Sequence, residues 1–270
     1  MKKAILVAMM IIVTLPLWFM AVYSFEDVQG VLRMPPRIFP SKPTLENYRH
    51  IATWPLIPWI KNSAVAVIAT ITASIIVYSM AGYVFAFKRF RYQGIIWAAL
   101  IAGMMVPKMS LMIPLYVTVK QIGLAGTMAA AVLTTIYQPV HLFLARNYMQ
   151  GIPKAILESA RIDGATEMYI LVRVVIPLAL PVLTVVGLFT AINVLGDYVW
   201  QSLIFQFGST QTLIVGILKK VMERGGGILN VNPLGRQMAV GMILMLPLFA
   251  IFGFANRYFV TGISIGGVKE

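Results

Sequence analysis

The chain has no cysteine among its 270 residues, which excludes disulfide frameworks, thiolate metal sites and cysteine nucleophiles. Charge is scarce as well. Asp, Glu, Lys and Arg make up 11% of the residues against 59% hydrophobic, and mean hydropathy is +0.84. So little polar side chain cannot cover a soluble globule of this length, so the composition calls for a bilayer. The two histidines, His50 and His141, are too far apart in sequence to suggest a metal site. No Gly-x-x-x-x-Gly-Lys-Ser/Thr run occurs, so the phosphate-cradling loop of a self-contained ATPase is missing. Acidic residues number nine against 22 basic ones, a net charge of +13. The basic residues are thinly spread and not interleaved with aromatics, which points to membrane lipid and not nucleic acid as their counterpart.

What is present is a series of long apolar runs, each near the roughly 20 residues that a helix needs to cross a bilayer. The sequence reads as an all-α membrane protein of six transmembrane helices, about 4–23, 63–87, 95–118, 128–147, 174–199 and 238–256, packed as a single transmembrane domain over 1–270. Lys2 and Lys3 before the first run resemble a signal-peptide start. That run is too long and lacks a small-residue cleavage site, so it reads as an uncleaved span. An even number of spans puts both termini on one side. Eleven Lys and Arg residues fall near span ends on that side and ten on the other, but the first set lies in the shorter segments, above all Lys88-Arg89-Phe90-Arg91. The rule that short cytoplasmic loops are basic therefore places both termini in the cytoplasm.

Two longer connections lie on the opposite side. One is the Pro-rich stretch before span two, with Pro35, Pro36, Pro40, Pro43, Pro55 and Pro58. The other contains Thr210 to Met222, which reads as a short amphipathic or interfacial helix ended by Gly225-Gly226-Gly227.

The segment "ESARIDGATEMYILVRVVIPLALP", Glu158 to Pro181, interrupts this apolar chain with charges, a glycine and two prolines. Pro153 suits the first turn of a helix over about 153–163. Ile152, Ile156 and Ala160, spaced by four, form an apolar stripe, with Lys154, Glu158 and Arg161 elsewhere around it. Gly164 after Asp163 stands where a left-handed C-terminal cap belongs. A second helix starts near Thr166 and re-enters the bilayer, bent by Pro177 and Pro181. Amphipathicity alone leaves two readings open: an element that docks a partner, or an ordinary interfacial loop.

The same stretch resembles the signature of ABC-importer permeases: Glu-Ala-Ala, three residues, Gly, nine residues, Ile, one residue, Leu-Pro. Here Glu158-Ser159-Ala160, Gly164 and Val174-Val175-Ile176-Pro177 keep that spacing, with Ser159 for the central alanine. The fuller "IPKAILESARIDGA", Ile152 to Ala165, is similar to the carbohydrate branch, the second permease subunit of maltose-type importers. Likeness extends through "LENYRH" (45–50), "KNSAVA" (61–66), "FKRFRYQG" (87–94), "VPKMSLMIPLYVTVKQIGLAGT" (106–127) and the tail "RYFVTGISIGGVKE" (257–270). After span five the family often has Trp-Asn-Asp and then Trp-Pro. This chain keeps Asp197 and Trp200 within Leu195-Gly196-Asp197-Tyr198-Val199-Trp200-Gln201, which weakens inference about substrate.

The resemblance implies a type I importer permease fold in a bacterial or archaeal cytoplasmic membrane, with a cytoplasmic coupling helix around Glu158 seated in an ATPase subunit. Its docking residues would be Ile152, Pro153, Ile156, Glu158, Ala160, Asp163 and Gly164. Implied partners are a homologous second permease, two ATPase subunits carrying ATP-Mg, and an extracytoplasmic solute-binding protein; this chain would hold no cofactor and catalyse no reaction. Tyr137, Gln138, His141 and Asn193 are candidates for the translocation path, although interhelical hydrogen bonds explain them equally well. Lys108 beside Pro107 suggests a bent, hydrated entry to span three. The expected solute is a sugar or sugar-like molecule. The alternatives are a non-sugar permease of the same superfamily and, further off, a secondary transporter or channel, which predicts paired mid-membrane ionisable groups and inverted repeats.

Overall fold

The computed structural model describes residues 2–27, 37–205, 210–223 and 233–266; Gly225-Gly226-Gly227 lies outside them, as do the side chains of the 257–270 tail. All regular structure among the described residues is helical. In chain order the helices are α1 (Lys2–Ser24), α2 (Glu46–Ala52), α3 (Leu56–Phe87), α4 (Gln93–Ala102), α5 (Lys108–Gln121), α6 (Met128–Ile136) and α7 (Pro139–Gln150). They continue as α8 (Lys154–Ile162), α9 (Glu167–Leu178), α10 (Leu180–Gly196), α11 (Tyr198–Ile204), α12 (Leu213–Glu223) and α13 (Pro233–Gly266).

Three helical stretches are long and apolar enough to cross a membrane singly: Lys3–Ser24, Leu56–Phe87 and Leu234–Gly253. Three further pairs qualify if each is one broken span: α4 with α5, bent by 105°, α6 with α7, by 51°, and α9 with α10, by 78°. The positions match the six runs of the sequence; bends were expected in span five and at the entry to span three, whereas the break in span four was not. Each break has a chemical cause. Pro107, Pro139 and Pro181 stand at or beside the breaks and lack the N–H a continuing helix would use. α3 begins earlier than expected because Pro58 falls in its first turn, where no intrahelical N–H is required.

The chain divides into two compact units, residues 1–61 with 211–249, and residues 62–210 with 250–270. In the first, residues 4–13 of α1 are all exposed and all apolar, a surface suited to acyl chains. Near its C-terminus the polar connection is tied down. Asn47 Nδ2 donates to the carbonyls of Ser24 and Glu26 at 3.0 and 3.2 Å, and the buried Glu26 carboxylate accepts from Ser41 N at 2.9 Å. Residues 37–61 of the Pro-rich stretch, Pro35 and Pro36 lying outside the described residues, therefore form a folded platform, with Ile51, Trp54 and Trp59 packed on Leu213, Ile217, Ala239 and Val240. α12 is the short amphipathic helix expected within 210–222, with Leu213 and Ile217 of its apolar face packed in this core.

The second unit holds all three broken spans. Its largest cluster gathers Tyr83, Met149, Ile152, Leu157, Ile170, Leu171 and Val175, so α8 and the start of α9 are packed onto α3 and α7.

Gly216 of α12 lies against the Trp59 ring, and a β-carbon there would overlap the indole. Gly216→Ala is expected to destabilise by about 1–3 kcal/mol through overpacking, read as a lower melting temperature of the detergent-purified chain. Gly253→Ala, inside α13 with nothing within 4 Å of the added carbon, is the control and should melt no lower than the parent chain.

Candidate functional site: a latched elbow and a cavity at the helix breaks

The charged interruption folds as an elbow. Pro153 is the N-cap of α8 and Asp163 its C-cap. Gly164 follows with φ +82°, the left-handed turn that a side chain resists, and Ala165 N bonds back to Ala160 O at 3.0 Å. Thr166 then caps α9, its hydroxyl accepting from Tyr169 N at 3.3 Å. Residues 170–175 form a π-helical turn, a wider winding of the kind that often marks functional positions.

Glu167, in the first turn of α9 and outside the apolar run beginning at Val174, holds this elbow to α3. Its carboxylate accepts from Lys88 Nζ at 2.6 Å, Arg161 Nε at 3.0 Å and the Tyr83 hydroxyl. Donation by Lys88 and then Tyr83 holds that carboxyl at about 2, well below its ordinary value. Sequence reasoning missed this role. Glu167 and Lys88 stand 79 positions apart (167 − 88), and no local pattern relates them.

The faces of α8 differ from the expected stripe. Ile152 and Ala160 turn inward with Leu157, the most buried residue of the helix, and pack on the chain's own core. Ile156 points outward, joined by Lys154, Glu158, Ser159, Arg161 and Ile162, the last 86% exposed. The helix thus has two apolar faces, one used internally and one uncovered. Ile152 precedes α8, and the extended backbone of Pro153 (ψ 125°) separates it from the helix, so helical spacing does not relate it to Ile156.

A cavity of about 430 Å³ opens where α4–α5 and α6–α7 break, lined by Lys108, Tyr137, Gln138, Thr134 and Trp200 among others. The α6–α7 break is held by α3. The Tyr78 hydroxyl donates to Ile136 O and accepts from Gln138 N at 2.6 Å, replacing helical hydrogen bonds lost there. Trp200 Nε1 donates to Thr134 Oγ1 at 2.7 Å, fixing the indole at the wall. A second cavity of about 390 Å³ shares Lys108 and adds Asn193, Asp197 and Tyr198. Lys108 Nζ lies 2.6 Å from Asp197 Oδ2, while Asp197 Oδ1 caps α11 through Trp200 N at 3.1 Å.

The structure thus brings Tyr137 and Gln138 to one cavity and Asn193 to its neighbour, with Lys108 common to both. His141 lines neither. It is 3% exposed, 5.5 Å from the Tyr78 ring and 6.4 Å from Phe189. Asp197, retained from the resemblance but given no role by sequence alone, is the partner that makes Lys108 tolerable.

The chain aligns with curated transport proteins over most of its length. It is 29% identical over 235 residues to the arabinooligosaccharides transport system permease protein AraQ of Halalkalibacterium halodurans, covering 85% of this chain and 81% of that protein. It is 28% identical to the galactooligosaccharides transport system permease protein GanQ of Bacillus subtilis, covering 98% and 93%. With the melibiose/raffinose/stachyose import permease protein MelC of the same organism identity is 32% over 72% of this chain and 70% of that one. Among solved structures, a chain of a bacterial ABC transporter involved in the import of the acidic polysaccharide alginate superposes with a TM-score of 0.83 at 19% identity, covering 96% and 95% of the two chains, so the fold is shared. Residues 79–265, which contain the elbow, the latch and both cavities, match the binding-protein-dependent transport system inner membrane component, and the chain belongs to that family of multi-pass ABC-importer permeases.

Proposed function

We propose that this chain is one membrane-spanning subunit of an ATP-driven importer for an oligosaccharide or similar polyhydroxylated solute. The observation that carries the reading is the elbow: a short helix with an uncovered apolar and charged face, joined through Gly164 to a spanning helix pair and latched by Glu167 to the end of α3. Such a piece moves as one body, so closure of a docked ATPase pair would push α8 and carry α9, α10 and the end of α3 with it.

Family membership gives the chain ATPase and binding-protein partners in general terms and removes the secondary-transporter reading. The finer assembly is part of the proposal: a homologous second permease, two ATPase subunits holding ATP-Mg, and an extracytoplasmic solute-binding protein. So is the setting, a bacterial or archaeal cytoplasmic membrane crossed six times with both termini and α8 in the cytoplasm. The docking face consists of Ile156, Glu158, Ser159, Arg161 and Ile162 with Pro153, Asp163 and Gly164 at its ends. Ile152 and Ala160 support it from beneath. The names of the sugar permeases it resembles favour a carbohydrate. The two cavities supply fitting chemistry, the exposed Tyr137 ring beside the polar Gln138, Asn193, Lys108 and Asp197.

Single cysteines in this cysteine-free chain test the topology. At Gln93 and Gln150 they should resist impermeant thiol reagents in intact cells, whereas a cysteine at Ser41 should react. Reaction at Gln150 from outside would contradict both the orientation and the docking role of α8.

Two elbow variants should separate docking from transmission. Gly164→Val places a β-branched residue at positive φ, a strain of about 1–2 kcal/mol that shifts the elbow population about five- to thirtyfold. Uptake and binding-protein-stimulated ATP hydrolysis should fall together at unchanged membrane abundance. Glu167→Gln keeps the shape but removes the charge that gathers Lys88 and Arg161, so hydrolysis should persist while solute moved per ATP falls. Normal uptake in both variants would return the elbow to an interfacial loop. Because the Glu167 carboxyl is depressed to about 2, the latch is intact above the ordinary carboxylate range and fails only as pH falls from there toward about 2. Coupling should therefore show no loss from this group around neutral pH.

A further inference from the structure

A concave surface beside the elbow is distinct from the cavities at the helix breaks and shares Lys88 with the latch and Lys154 with α8. It has a volume of about 420 Å³ and lies between the end of α3, the start of α4, α7 and the start of α8. Lys88, Arg89, Arg146 and Lys154 line it with Gln93 and Trp97, and no acidic side chain does. Lys88 is engaged by Glu167. Arg89, Arg146 and Lys154 have no ion-pair partner among the described residues.

Three unpaired cations around one hollow repel one another unless an anion enters. One of them is already held in place. Arg146 Nε donates to Phe85 O at 3.3 Å and its guanidinium stacks over Trp97, 4.2 Å from the ring centroid. Its terminal nitrogens have no protein partner among the described residues. A guanidinium fixed in this way is suited to two-point binding of phosphate oxygens, and Gln93, itself held by a bond to Phe85 O at 3.3 Å, borders the same space.

The rim distinguishes the kind of phosphate. α4 has no buried residue, and Phe90, Tyr92, Ile95 and Ile96 are exposed beside the basic hollow. An anion with acyl chains satisfies both surfaces, its phosphate in the hollow and its chains along α4, with Trp97 and Tyr92 at headgroup depth. A free phosphate, or an acidic loop of a protein, leaves the rim bare.

We propose that this hollow binds the phosphate of an anionic phospholipid such as phosphatidylglycerol, next to the first turn of α8. A bound lipid there would brace α3, α4, α7 and the start of the elbow against one another. The proposal does not depend on the transported solute.

The test is native mass spectrometry of the full chain in detergent, titrated with equal phosphatidylglycerol and phosphatidylcholine. One phosphatidylglycerol should be retained in preference. Arg146→Gln and Lys154→Gln should each lower its retention about fivefold, the value of one cation near an anionic surface. Arg89→Gln, at an exposed residue with no hydrogen bond to lose, should do the same and keeps the test valid if either of the others melts below the parent chain. Equal retention of the two lipids, or undiminished phosphatidylglycerol in variants that melt like the parent, overturns the proposal. Displacement of the lipid by millimolar inorganic phosphate would assign the hollow to a soluble anion, and its loss on assembly with the ATPase would assign it to an acidic protein segment. Either outcome defeats the lipid site.

Discussion

A backbone carbonyl or amide inside hydrocarbon has no water to bond, so a spanning helix breaks only where something else takes the place of its hydrogen bonds. The second unit is organised around that constraint. At the α6–α7 break a single hydroxyl, that of Tyr78 from α3, serves both the Ile136 carbonyl and the Gln138 amide. At the end of α10 the Asp197 carboxylate caps α11. Prolines at the breaks remove the donors that would otherwise be orphaned. Open space can therefore form within apolar helices, lined by the polar groups that the breaks expose. Irregular backbone at membrane depth belongs beside a hydrated passage, and the cavities stand where the breaks are.

The elbow meets the same constraint in another way. Its polar backbone lies outside the apolar runs, so charge is affordable there and is used for rigidity. Glu167 accepts from three donors on two segments, which turns a loop into an extension of α3 and α9. An exposed ion pair alone contributes little to stability, so the latch matters for geometry more than for folding energy. What stabilises the elbow is the packing of Leu157, Ile152 and Ile170 in the core beneath it.

The sequence made much of this legible. Apolar runs located the spanning segments because twenty consecutive greasy residues have few other uses, and a glycine after Asp163 located the turn because positive φ excludes most side chains. The resemblance in 152–177 supplied the family before any fold was known. The angles of the breaks were not legible, since proline marks a weak point without saying how far the chain turns. Neither was the inward face of α8, because Leu157 and not Ile156 joins Ile152 and Ala160 in the core. Pairings such as Glu167 with Lys88 and Lys108 with Asp197 join distant segments, and only the packing of helices brings them together. His141 is instructive: a polar residue in an apolar run suggested a passage, and packing buried it between Tyr78 and Phe189.

The central claim is that the outer face of α8 is covered by an ATPase. Ser159 is exposed on that face and small enough to become the chain's only cysteine without disturbing the core. The direct measurement is the rate of maleimide labelling of Ser159→Cys in the isolated chain and in the assembly with its copurifying ATPase. The account predicts rapid labelling alone and strong protection in the assembly, with a cysteine at Gln93 labelled at the same rate in both. Equal labelling of Ser159→Cys in the two states, with the ATPase demonstrably bound, would contradict it.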